Sequence, residues 1–228
     1  MPSLTSKSTL KDHQEFVRQV YGLHNDRYYT TPDILVHMQR FCMRGLKGIR
    51  KNDKERTALN LFIALSWFMS LMNQLHIDLQ EAVAERFPNA CSYCGERPCV
   101  CKAKKIQKRK GKVAGRGKKP KTIAEFQAMF EAIYPASSRT LEHAGIHLGE
   151  EVGELAEAIQ RFRSGRKTGD FDNIAKEAAD VTSCMFGVFN SWDVDVAREL
   201  SSLFSFNCHA CRKAPCVCDF QFVENFRS

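Results

Sequence analysis

The sequence predicts an all-α fold: tandem four-helix repeats that pack as a pseudo-dimer within one chain. Three observations carry that prediction. The chain repeats itself at a fixed offset, each half shows helical periodicity with no convincing strand alternation, and each half ends in the same cysteine-rich segment.

The repeat is clearest at the cysteines. Residues 91–101 read CSYCGERPCVC and residues 208–218 read CHACRKAPCVC, both Cys-x2-Cys-x4-Cys-x-Cys and 117 residues apart. Upstream at the same offset, NQLHIDLQEAV from Asn73 meets NSWDVDVAREL from Asn190, pairing Asp78 with Asp195. Further upstream the offset is 113: EFVRQVY (15–21) meets AMFEAIY (128–134), and Leu35 meets Leu148. A longer loop in the second copy, SGRKTGDFD (164–172), accounts for the difference of four. The expected organisation is a first repeat over 1–101, a basic flexible linker over 102–121 and a second repeat over 122–228.

The elements of the second repeat follow in order. Apolar residues at helical spacing from Ile123 predict a first helix, IAEFQAMFEAIY. A second runs from about Thr140 to Arg163 and stops at Ser-Gly, and a third covers about Asn173–Asn190. The fourth starts with Asp195 as N-cap, where a short side chain can accept from a free backbone N–H, and ends near Phe206. In the first repeat, LFIALSWFMSLM (Leu61–Met72) is too short to cross a bilayer and fits a buried core helix. No apolar run follows the start MPSLTSKSTLKDHQEF, so no secretory signal is expected and the chain reads as soluble and cytoplasmic.

The net charge of +8 is local. Residues 102–121 hold 11 Lys or Arg and no acid; the remaining 23 basic and 26 acidic residues leave a net of −3. The bulk of the chain is slightly acidic, with a basic tether through its middle.

Carboxylates supply the candidate chemistry. LGEEVGELAEAI (148–159) places Glu151 and Glu154 three apart on one helix face, and KEAADV places Glu177 and Asp180 likewise on the next helix. Facing one another, such charges repel and are costly to desolvate. A hard divalent cation with oxygen ligands, such as magnesium, resolves the conflict; a solvated helix face is the plainer alternative. The first repeat discriminates between them. Its residues at the same offsets are Met38, Phe41, Asn60 and Ile63, three of them apolar, so the corresponding face should be buried in both copies. Buried acids need a partner.

The run GEEVGELAEAI … KEAADV … NSWDVDVAREL resembles the MazG-type all-α nucleoside triphosphate pyrophosphohydrolases, whose pattern is EExxE followed by ExxD. The resemblance covers about residues 123–207; the first repeat matches in helix layout but lacks the acids. It implies magnesium-dependent cleavage of an NTP or dNTP to the monophosphate and pyrophosphate. Glu151, Glu154, Glu177 and Asp180 would be the magnesium ligands, and Glu150 a group that orients water. Lys176, Arg161 and Arg163 are candidate phosphate contacts, each competing with a solvated role. Asn190 recurs as Asn73, which suits a structural cap as well as a nucleotide contact. The first repeat would be a degenerate support, closing the pocket with an aromatic such as Trp67 or Phe68 unless these are ordinary core residues.

The clusters Cys91, Cys94, Cys99, Cys101 and Cys208, Cys211, Cys216, Cys218 have the composition of closed four-thiolate sites, for which structural zinc is the leading expectation. Iron–sulfur clusters or disulfides are the alternatives, the latter disfavoured in a cytoplasmic chain. Cys42 and Cys184 read as small core residues. The family pattern includes no such clusters, and a basic tether beside them can neutralise nucleic-acid phosphates. The tether has no aromatic residue for base stacking, which favours a solvated linker. The competing function is therefore a zinc-containing nucleic-acid-binding or nucleotide-sensing adaptor without turnover. Association into a homo-oligomer is left open.

Overall fold

In the computed structural model, which describes residues 2–110, 115, 117–205 and 207–226, the chain is all-helical. In chain order the helices are α1 (Leu10–Tyr28), α2 (Thr31–Arg50), α3 (Lys54–Gln74) and α4 (Leu79–Arg86), then α5 (Ile123–Ile133), α6 (Leu141–Gly165), α7 (Thr168–Ser191) and α8 (Val196–Leu203), with α9 (Phe220–Asn225) near the end. No single described helix is long and apolar enough to cross a membrane.

Helix starts follow local chemistry. Thr9 caps α1 by accepting from Asp12 N–H while the Asp12 carboxylate accepts from Thr9 N–H, and Thr122 and Glu125 repeat this reciprocal box at α5. Asp195 caps α8 by accepting from Arg198 N–H. Caps of this kind each contribute about 1 kcal/mol. The expected loop 164–172 is shorter than the sequence suggests. Helix α7 begins at Thr168, leaving only Arg166 and Lys167 outside helix. The extension has two visible causes: Asp170 sits in the first turn, where a helix favours negative charge, and Phe171 packs on Phe162 with ring centroids 5.1 Å apart. The expected end of α8 near Phe206 lies outside the described residues.

The chain forms two compact units. One consists of Met1–Asp78 with Asp195–Ser228, the other of Leu79–Val194. The cuts do not fall at 101 and 122: each half gives its last short helix and its cysteine segment to the unit built on the other half's first three helices.

Within the first unit, α2 and α3 form a hairpin packed so closely that a Cβ at Gly45 would meet Leu61 and one at Gly48 would meet Thr57. Its core includes Leu10, Phe16, Ile34, Met38, Phe41, Ile63, Phe68 and Phe204, all at most 3% exposed. The segment containing α9, which the periodicity does not announce, lies against α2. Arg40 and Arg44 donate to the carbonyls of Glu224 and Phe226, and His37 Nε2 stands 2.9 Å from Glu224.

Within the second unit, α6 pairs with α7 and α4 packs on α7. Phe87, just past α4, meets Phe130 of α5 edge-on at 5.3 Å.

Equivalent bonds recur in both units. Asn73 Nδ2 donates to Gln14 O and Gln14 Nε2 to Ile77 O; Asn190 Nδ2 donates to Gln127 O and Gln127 Nε2 to Val194 O. Asn190 also accepts from Gln127 Nε2 at 2.9 Å, so its amide is committed to holding α5.

The basic tether is described in part; 111–114 and 116 lie outside the described residues. Its first stretch is tied to the adjacent cysteine segment, with Lys110 N–H donating to Tyr93 O and Arg109 over the Tyr93 ring at 5.6 Å.

Candidate metal centre

The second unit brings three of the four predicted carboxylates together. Glu151 on α6 and Glu177 and Asp180 on α7 each offer an oxygen, and the three lie within 4.8 Å of one another. The helical spacing does the positioning. Val152, Leu155, Ala158 and Ile159 bury the face of α6 that meets α7, and Ala178, Ala179, Val181 and Thr182 do the same on α7, which draws the flanking acids inward. Glu154 and Glu150 are exposed, and Glu154 is not part of this group. The equivalent face of the other unit is buried as expected: Met38, Phe41, Asn60 and Ile63 are each at most 3% exposed.

Electrostatics register the crowding. Burial, with Asp180, Glu154 and Glu177 adding repulsion, pushes the Glu151 carboxyl up to about 8. Glu177 is raised for the same reasons, burial first and then Asp180 and Glu154, although Asn173 Nδ2 donates to it at 3.2 Å. One oxygen of Glu151 is buried with no hydrogen-bond partner.

The sequence reading missed Arg86. This last residue of α4 forms a two-pronged ion pair with Asp180, its Nε 3.1 Å from both carboxylate oxygens and its Nη2 closer still to Oδ2. Both side chains are nearly buried, at 14% and 13% exposure. Burial works against the guanidinium charge, and the Asp180 carboxylate outweighs it. A signal was available in the repeat: Arg86 corresponds at the 117-residue offset to Leu203, so the base disappears from the other unit together with the acids.

The remaining candidates sit apart. Arg161 pairs with Glu157 at 2.6 Å on the exposed side of α6, and Arg163 and Lys176 are exposed. Trp67 and Phe68 belong to the other unit, where Trp67 stacks on His37 at 4.4 Å and Phe68 is fully buried.

Both cysteine clusters gather four sulfurs into a ligand-sized group. The spacings are 3.8 Å for Cys91–Cys101 and 3.9 Å for Cys94–Cys99, then 3.9 Å for Cys208–Cys218 and for Cys211–Cys216. A tetrahedron of thiolates at zinc–sulfur bonds of about 2.3 Å has edges of about 3.8 Å, so both clusters fit zinc. All eight cysteines are free thiols, and these spacings are far from a disulfide bond of about 2.05 Å.

One sulfur of each cluster is drawn down, while burial raises Cys99, Cys101 and Cys218 and the hydrogen bond to Cys208 raises Cys216. Burial opposes ionisation of Cys94, yet backbone N–H groups at Val100 and Glu96 bring its thiol down to about 7. A hydrogen bond from Cys216, helped by N–H groups of Cys211 and Ala210, draws Cys208 down to about 4.

Each cluster docks in the same way. Cys99 N–H donates to Ile133 O at 2.8 Å, and Cys216 N–H donates to Val20 O at 2.6 Å. The residue after each receiving carbonyl is a tyrosine. Tyr134 Oη donates to Cys91 Sγ at 3.3 Å, and Tyr21 Oη meets His209 Nδ1 at 3.2 Å.

No protein-family model matches this chain, and no curated protein or solved structure matches it either.

Proposed function

We propose that the unit of residues 79–194 is a magnesium-dependent nucleoside triphosphate pyrophosphohydrolase of MazG type, releasing pyrophosphate and a monophosphate from an NTP or dNTP. The observation that carries this reading is the trio Glu151, Glu177 and Asp180: three hard oxygen donors within 4.8 Å, on adjacent helices, with one Glu151 oxygen buried and unpartnered. Such a donor set fits magnesium, which prefers carboxylate oxygen and keeps positions for water and phosphate. When bound, magnesium would neutralise charge developing on the phosphates and acidify the attacking water.

The chain's own residues supply the rest. Glu151, Glu177 and Asp180 hold the cation, and the exposed Glu154 stands on the same helix to extend the set toward solvent. Glu150, also exposed, is available to orient a water. Arg86 holds and orients Asp180 through its two-pronged ion pair, and its guanidinium is a candidate partner for a phosphate oxygen. The two cysteine clusters carry structural zinc in this reading. The other unit, which lacks these four carboxylates, is the degenerate copy in this reading.

The test is pyrophosphate release from a panel of NTPs and dNTPs, with magnesium and with chelator. Release with magnesium that falls at least about 100-fold in Glu151→Ala supports the reading, on the scale of several kcal/mol expected of a lost metal position. Magnesium-dependent nucleotide binding with no release would make the chain a sensor. Neither binding nor release would sink the proposal.

A further inference from the structure

A second donor group stands beside the carboxylates. His147, Glu151 and Cys184 each offer one ligand atom, and these atoms lie within 4.8 Å of one another. His147 and Glu151 are one helical turn apart on α6 and project the same way, with Nε2 3.6 Å from Oε1. Cys184 comes from α7, one turn beyond Asp180.

The donor types matter more than their number. Magnesium takes oxygen alone, whereas an imidazole, a carboxylate and a thiolate together suit a borderline first-row ion such as zinc, cobalt or ferrous iron. The sequence reading placed Cys184 in the core as a filler, but it stands within ligand distance of Glu151. Glu151 has an oxygen that is buried and without a hydrogen-bond partner, so its donor capacity is unspent. His147 is 51% exposed, which opens the group to solvent on that side. The other unit again serves as a control. At the same offsets it carries Ile34, Met38 and Trp67, so all three donors are absent together.

We propose that His147, Glu151 and Cys184 bind a first-row transition-metal ion of the zinc type, with Glu151 shared between this ion and the magnesium position. The bound sulfur is a thiolate, so binding releases the Cys184 Sγ proton to solvent. Burial, with Glu151 and Asp180 adding repulsion, holds the Cys184 thiol well above its usual range in the metal-free chain. Arg139 offsets this only in part, so the bound ion itself must displace the proton. The proposal shares Glu151 with the hydrolase reading but does not depend on nucleotide chemistry.

The experiment is a cobalt(II) titration of the full chain with zinc already in both cysteine clusters. The expected result is about one further ion per chain with a thiolate-to-cobalt charge-transfer band in the near ultraviolet. Cys184→Ser should abolish that band, and His147→Ala, at an exposed position, should weaken uptake by about tenfold or more, with both variants retaining the cluster zinc. Asp180→Asn should keep the band, because Asp180 is not among its three donors. No cobalt uptake beyond the clusters, or a band that survives Cys184→Ser, would overturn the proposal. Pyrophosphate release without the band leaves the hydrolase reading and removes this one; the band without release does the reverse.

Discussion

The two units use one set of bonds to frame two different faces. Each ties one helix, α1 or α5, by an Asn side-chain amide donating to a Gln backbone carbonyl, and receives a cysteine segment at a Val or Ile carbonyl followed by tyrosine. Where the unit of residues 79–194 carries Arg86, Glu151, Glu177 and Asp180, the other carries Leu203, Met38, Asn60 and Ile63. One face is filled by packing, the other by mutually dependent charges. The difference teaches that charge on this face is dispensable to folding, so its presence in one copy calls for a separate cause.

The sharpest way to break that comparison is to convert one face into the other. Arg86→Leu alone strands the nearly buried Asp180 carboxylate and is expected to cost about 3–5 kcal/mol in urea unfolding. The full exchange, Arg86→Leu with Glu151→Met, Glu154→Phe, Glu177→Asn and Asp180→Ile, is expected to recover that loss while abolishing pyrophosphate release. If the exchanged protein is as unstable as Arg86→Leu alone, the two faces are not interchangeable and the comparison fails.

A smaller effect concerns pH. The carboxyl of Glu151 titrates near 8 in the folded metal-free chain, against about 4.3 for an unperturbed glutamate. Between those values the folded state binds more protons than the unfolded one, so metal-free stability falls as pH rises and levels off above pH 8. Thermal unfolding in chelator should show a fall on the order of 5 °C from pH 5.5 to 8.5, as set by the enthalpy of a domain this size. Glu151→Gln should flatten most of it, and magnesium should oppose it most at the alkaline end. An identical slope in wild type and Glu151→Gln would show that the crowding lies elsewhere.

The smallest effect sits in the other unit. His13 is fully buried with neither ring nitrogen bonded, and burial lowers it to about 3. Its counterpart at the 113-residue offset is the buried Phe126. The unfolded chain takes up a proton below about pH 6.5 that folded His13 refuses, so stability is lost as pH falls below that value. His13→Phe is expected to gain about 1 kcal/mol at pH 7 and more at pH 5, read by urea unfolding at both values.

Much of this was legible in the residues. Asp195 announces α8, apolar spacing from Ile123 announces α5, and the acids on α6 and α7 follow from helical spacing. The burial of the opposite face was readable from Met38, Phe41 and Ile63. Arg86 was hidden because periodicity reports that a face is covered, never which element covers it. His147 and Cys184 were hidden for a related reason: a single histidine on a polar face and a single cysteine on an apolar one acquire meaning only once α6 and α7 are set side by side. The partition into units was beyond the pattern as well. Equivalent helices from two copies can bury the same apolar stripes, and hydrophobicity alone does not choose between them.

That partition orders the events of synthesis. The unit of residues 79–194 is continuous in the chain, whereas the other is interrupted by it and needs Asp195 onward to finish. A ribosome therefore completes the carboxylate-bearing unit first. The earlier α1–α3, with Phe16 still lacking the Phe204 ring and Val20 the second cysteine segment, must wait for more than a hundred further residues, an interval in which a chaperone has something to hold.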